Sequence, residues 1–364
     1  MALKLLVDGE KSLDLLLTIL VCMTWALYFT SGKQFLGILG GLARSLISDL
    51  RFDKPQGPCW CPSVGPNAED KIARTNESRR AHVACFALSV MIGATFPYEM
   101  MQWSPQLEID CDQLVSEKES EGDSLLVSLA RISRICHQAA EVSRHLSNNS
   151  SSGTHTALHI APLIASLDRL RSTFSEDQLR HESVTAYITT TEVVIYELAL
   201  IHPSNQIARS SSMLDHRRTD YLMACFQACK SCTELFSAYG LVSSTTPTNV
   251  IIAYGLKVLH RLATLDDPGW DPTIVHQAVD IVGLLERCAA IAEEANAKLK
   301  AELGEDSVFL LAAQQLRNSA PNWSLPSQQP HTRDSTMEGW TSEALDLPSI
   351  DFSDEFWLNA TFNL

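Results

Sequence analysis

Apolar side chains along this chain recur at i, i+3, i+4 and i+7, and no convincing run alternates apolar with polar residues as a half-buried strand would. The pattern predicts an all-α protein. A first helix, capped by Ser12 or Asp14, runs through the uncharged residues 15–29 to a turn at Ser31 and Gly32. A second places Phe35, Leu36, Leu39, Leu42, Ala43, Leu46 and Ile47 on one face, and the two form a hairpin. A third starts at Thr75 and Asn76, with Glu77 in its first turn, and runs to Pro97 with Val83, Phe86, Ala87, Val90 and Met91 on its apolar side. Further helices are predicted over about 125–146, 157–172, 175–200, 215–240, 248–264 and 273–303. Ile281, Leu284, Leu285, Cys288, Ala292, Ala295 and Leu299 stripe the last one, and Gly304 is placed to end it.

Between these segments the composition changes. Residues 51–70, RFDKPQGPCWCPSVGPNAED, carry four prolines and two glycines and read as a loop extending to about 72. SEKESEGDS at 116–124 is an acidic loop and SNNSSSGTHT at 147–156 a Ser-rich connector. The helical body is expected over residues 1–317, a Pro/Gln/Ser linker over 318–337, and a distinct C-terminal segment over 338–364. No internal repeat of constant period is present.

Residues 15–29 would span roughly 22 Å as a helix, short of the roughly 30 Å of hydrocarbon a membrane helix must cross. The charges at Lys4, Asp8, Glu10, Lys11 and Asp14, with bulky Trp25, Tyr28 and Phe29 closing the run, do not suit a signal peptide either. A buried core helix is the expectation, with no membrane partner. The 364 residues are 45% apolar, ample for a sizeable core, and the net charge of -15 argues against a broad nucleic-acid-binding surface. Ten cysteines, irregularly spaced and mostly inside apolar helical patterns, read as small core residues of an intracellular protein.

Three motifs invite a catalytic reading. Cys225, Cys229 and Cys232 form a CxxxCxxC triplet of the kind that holds an iron–sulfur cluster in radical S-adenosylmethionine enzymes, but here the triplet falls on one face of a continuous helix with Leu222 and Leu235. Asp266, Asp267 and Asp271 in DDPGWD resemble the magnesium motif of helical terpene synthases, yet Pro268, Gly269 and Pro272 make a turn of it. His155 and His159 lack the neighbouring Glu of a zinc-protease helix, and Cys59 and Cys61 lack two further ligands. A helical enzyme of secondary metabolism is the alternative these motifs leave; the expectation is no enzyme, with no catalytic, cofactor or metal residue in this chain.

The C-terminal segment is more informative. Residues 338–364 hold six acids and no base, interleaved with Trp340, Leu345, Leu347, Ile350, Phe352, Phe356, Trp357, Leu358 and Phe362. Such a segment cannot bury enough surface to order itself, but it can fold onto a partner's apolar groove, with Ser353 capping a short helix that presents Phe356 and Trp357. It has the pattern of an acidic activation segment, with Phe352, Phe356, Trp357 and Leu358 as contacts. A tail that docks on its own helical body is the alternative.

Several stretches together resemble the middle homology region of fungal binuclear zinc-cluster transcription factors. GEKSLDLLLTILVCMTW (9–25) is similar to that family's first helical signature, and QFLGILGGLARSLISDLRFDKP (34–55) to its paired helix. ARTNESRRAHVACFALSVMIGATF (73–96) is the most specific match, with Thr75, Glu77, Arg79 and Arg80 at the Thr-x-Glu-x-Arg-Arg positions. MQWSPQLEIDCDQL (101–114), with Trp103, resembles the segment that follows. The resemblance implies an all-helical regulatory domain in a nuclear regulator of RNA polymerase II transcription. Its implied partners are coactivators at residues 338–364, with a homodimer or longer family members as further possibilities. The family's CxxCxxxxxxC array, basic region and coiled coil are missing from this sequence. Zinc and direct DNA contact therefore belong to the protein only if a cluster precedes Met1, and a shortened chain, a short isoform and a stand-alone relative all fit. Arg79 and Arg80 are expected to pair with acids or carbonyls at helix ends, not with phosphates.

Overall fold

The computed structural model describes residues 11–26, 36–54, 74–96, 98–148, 156–201, 212–239, 245–265, 267 and 269–320. Its described residues are all-α, with a single isolated bridge, Asp267 to Trp270, inside a turn. Helix α1 (Leu13–Thr24) is capped by Ser12, whose Oγ accepts from Leu15 N at 3.3 Å. It stops at Thr24, before the expected end at Ser31, and Trp25 N donates back to Val21 O. Helix α2 (Leu36–Asp49) pairs with α1, and both rest on α3 (Asn76–Thr95), the helix capped by Thr75. No helix among the described residues is long and apolar enough to cross a membrane.

Helix α4 (Pro105–Glu117) starts where Ser104 accepts from Leu107 N and Pro105 needs no donor, and it ends at Lys118 in the left-handed conformation (φ 48°). Helix α5 (Gly122–Asn148) follows at once. The acidic loop expected over 116–124 is thus a turn of 118–121, and Ser147 and Asn148 of the expected connector are helical. After α6 (Ala157–Arg171), the single helix expected over 175–200 is broken. Ser175 and Gln178 close a capping box on the short α7 (Glu176–Arg180), and extended His181 then caps α8 (Glu182–Glu197) by accepting from Ser183 N. Leu198–Leu200 tightens into one 3-10 turn.

Helices α9 (Ser212–Tyr239) and α10 (Thr246–Ala263) lead to a second correction. The helix expected over 273–303 is two, α11 (Thr273–Ala278) and α12 (Ile281–Leu303), because Val279 is extended and Asp280 accepts from Gly283 N to start α12 afresh. Gly304, at φ 81°, ends α12 in the conformation that favours glycine. Helix α13 (Val308–Ser319), not anticipated from the pattern, folds back on α12 and carries the helical body past residue 317, with Ser319 fully buried. Arg317 grips Glu286 and Glu293 of α12, and Asn296 holds the turn through Asp306 (2.9 Å) and Ser307 N (2.7 Å).

One continuous core joins these helices. α3 packs across α5, α5 on α8, α8 on α9 and α10, and α10 returns to α3, while the α12–α13 hairpin leans on α9. The α9–α10 crossing is close because small side chains meet there. A Cβ placed on Gly255 would lie 2.9 Å from Cys232 Cβ and 3.0 Å from its Sγ. Gly255→Ala is therefore expected to destabilise the protein by about 1–3 kcal/mol despite its better helix propensity. A lowered urea midpoint would show it; an unchanged one would mean the crossing is looser than this geometry.

Candidate functional site

Thr75 Oγ1 accepts from Ser78 N at 3.2 Å, which fixes the first turn of α3 and the positions of the two arginines after it. Glu77 is exposed in that turn, where its charge suits the positive end of the helix. Arg79 Nη1 donates to Asn76 Oδ1 at 2.5 Å and lies 3.9 Å from Glu117; Asn76 itself donates to Glu117 at 2.6 Å. Arg80 forks onto Asp123 through Nε (2.6 Å) and Nη2 (3.0 Å), and Nη2 also donates to Glu119 at 2.8 Å. Hydrogen bonding from Arg80 holds the Asp123 carboxyl below its usual range, and Asp123 in turn raises Arg80. Both guanidiniums are thus engaged within the protein, clasping α3 to the α4–α5 turn. Trp103 stands edge-on to Phe86 with centroids 5.0 Å apart, under the Arg134 guanidinium at 4.7 Å, and Arg134 donates to Glu108 at 2.6 Å.

Sequence reasoning missed the most unusual polar group of the same region. Asp110 on α4 is fully buried and accepts from Arg74 Nε (3.2 Å) and Nη2, from Gln106 Nε2 (3.0 Å) and from His82 Nδ1 (2.7 Å). Arg74 Nη1 donates to Phe52 O at 2.7 Å, and its guanidinium lies 5.4 Å from the Phe52 ring centroid. One residue before the signature motif, Arg74 therefore ties the turn after α2 to α3 and α4. A charge inside the core persists only when it is paired and fully hydrogen-bonded, and the four contacts to Asp110 meet that condition.

His82 is fully buried, and its Nε2 has no hydrogen-bond partner. Burial pushes its pKa below 6.5 against the pull of Asp110, and burial does the same at His137 and His260. The folded protein thus takes up these protons less readily than the unfolded chain. Stability is present above about pH 6.5 and is lost as pH falls through that value, by at most about 1.4 kcal/mol per pH unit for each histidine. Urea unfolding at pH 7.5, 6.5 and 5.5 should show the decline, and His82→Asn, which keeps a donor toward Asp110, should flatten it; a stability independent of pH in this window would contradict the assignment.

The motifs with a catalytic look have other work. Cys225, Cys229 and Cys232 lie inside the core, where burial raises the Cys232 thiol to about 12 and Cys229 well above its ordinary range. Buried, inward-facing thiols on one helix face make a packing surface. Buried Asp267 accepts from Arg218 Nη1 at 2.5 Å and from Gly269 N at 2.8 Å, while Asp271 caps Thr273, so the two carboxylates serve separate local structures. Among the described residues no group of three or more His, Cys, Asp or Glu could hold a metal ion. His159 lies on α6. Cys59, Cys61, His155, Asp266, Pro268 and the C-terminal contacts Phe352, Phe356, Trp357 and Leu358 lie outside the described residues.

Over 302 residues, 78% of this chain and 52% of the relative, the sequence is 32% identical to "Transcription factor opdL" of Penicillium oxalicum. The chain is homologous to fungal transcription factors. "Transcription factor himD" of Aspergillus japonicus is 33% identical over 132 residues, 35% of this chain and 22% of that relative. The chain spans about half the length of the first of these relatives and less of the second. A family model named ATEG07667_C, a C-terminal domain, matches residues 241–364 and so takes in α10 to α13 together with the acidic segment. No solved structure matches the chain.

Proposed function

We propose that this chain is the helical regulatory body of a nuclear regulator of RNA polymerase II transcription, of the binuclear zinc-cluster type, serving a fungal metabolic or secondary-metabolite pathway. It performs no chemistry of its own and uses no metal or cofactor within these residues. Residues 338–364 recruit coactivators, and contact with DNA comes through a zinc cluster or a partner outside them. The observation that carries the reading is the identity of 32% over 302 residues with a protein named as a transcription factor. The paired Arg79 and Arg80 and the charge of -15 support a body that does not itself grip phosphates. Fusing the whole chain to a foreign DNA-binding domain in a fungal reporter strain tests the proposal: activation or repression of the reporter is expected, and a nuclear, full-length fusion without effect on transcription would sink it.

A further inference from the structure

Of the ten lysines in the sequence, Lys300 alone follows a large aliphatic residue and precedes an acid by two positions, in Leu299-Lys300-Ala301-Glu302. A tetrapeptide of this form is what the conjugating enzyme of a small ubiquitin-like modifier reads: the aliphatic residue rests on an apolar shelf, the lysine enters the cleft, and the acid meets hydroxyl and basic groups. The structure puts it at the last turn of α12, immediately before left-handed Gly304. The Lys300 side chain is 53% exposed and Glu302 is exposed, whereas Leu299 is only 8% exposed. Lys300 Nζ donates to Asp306 Oδ2 at 2.8 Å across the turn.

An enzyme that reads four extended residues needs this last turn to open. Helix ends open most readily, because their final carbonyls lack partners within the helix. Here opening costs the Lys300–Asp306 pair, which is solvent-exposed and weak, the Gly304 N to Lys300 O hydrogen bond and the burial of Leu299. Lys298, one turn position away, is preceded by alanine and pairs with Glu294, so it offers the enzyme no aliphatic anchor.

We propose that Lys300 is a conjugation site for a small ubiquitin-like modifier. The Lys300 amine, after losing a proton to solvent, attacks the thioester carbonyl that joins the modifier's C-terminal glycine to the cysteine of its conjugating enzyme. The amide C–N bond forms, the C–S bond breaks, and the enzyme's thiolate leaves and takes up a proton; nothing is oxidised or reduced. The product carries a second folded domain at the α12–α13 turn, within the same matched region as the acidic segment.

The purified full chain, incubated with activating enzyme, conjugating enzyme, modifier and ATP, tests this independently of any effect on transcription. One adduct mapping to Lys300 by mass spectrometry is expected. Lys300→Arg should abolish it, Lys298→Arg should leave it unchanged, Glu302→Gln should cut its rate about tenfold, equivalent to about 1.4 kcal/mol of recognition, and Asp306→Asn, which releases the lysine, should raise the rate. Circular dichroism of the variants confirms that they fold. Equal modification of Lys300→Arg, or an unmodified wild-type chain in a reaction that modifies a control substrate, would overturn the assignment.

Discussion

Asp110→Ala is expected to cost the fold about 3–5 kcal/mol, the range for removing one partner of a buried ion pair. The loss strands three groups at once, since Arg74, Gln106 and His82 all direct a donor at that carboxylate. Much of the penalty is the buried Arg74 charge left without a counter-ion, so the double variant Arg74→Met/Asp110→Leu should recover a large share of it, as apolar replacements of buried pairs often do. Urea unfolding of wild type, single and double variants measures both effects. A single variant that unfolds at the wild-type midpoint would mean that the network carries little of the stability of α3 and α4.

The largest functional effect should come from the other end of the chain. In the full-chain fusion, replacing Phe352, Phe356 and Trp357 together by alanine should abolish reporter activation. If each aromatic anchors a partner groove at about 2 kcal/mol, losing all three weakens the contact by four orders of magnitude or so. The acids between them keep the segment solvated but supply little of that energy. A tail docked on its own helical body would behave differently, because the same three substitutions would then lower the melting temperature. Undiminished activation at equal protein levels would defeat the proposal for this segment.

Local signals were legible and distant ones were not. The Thr75 cap, the cysteine stripe at 225, 229 and 232 and the stop at Gly304 each depend on residues within one or two turns, which a single sequence displays. Neither break, at His181 or at Val279, is marked by a glycine or proline, so the pattern alone joins the helices. The signs against joining them are the side chains that cap the following helices, His181 and Asp280. Helix α13 is short and follows a turn rich in acids, which hid its stripe of Val308, Phe309, Ala313 and Leu316. For Arg74, His82 and Asp110 no local signal existed: each reads as an ordinary polar residue, and only the packing of α4 against α3 makes them a unit.

The bond from Arg74 to Phe52 O has one more consequence. It closes the chain on itself from inside the body, so the end of α2 and the start of α3 hold their places whatever length of polypeptide runs between them. In closure entropy, doubling that length costs only about 0.6 kcal/mol. A change in that length is therefore expected to leave α2 and α3 in register, because their placement rests on the Arg74–Phe52 bond and not on the spacing between them.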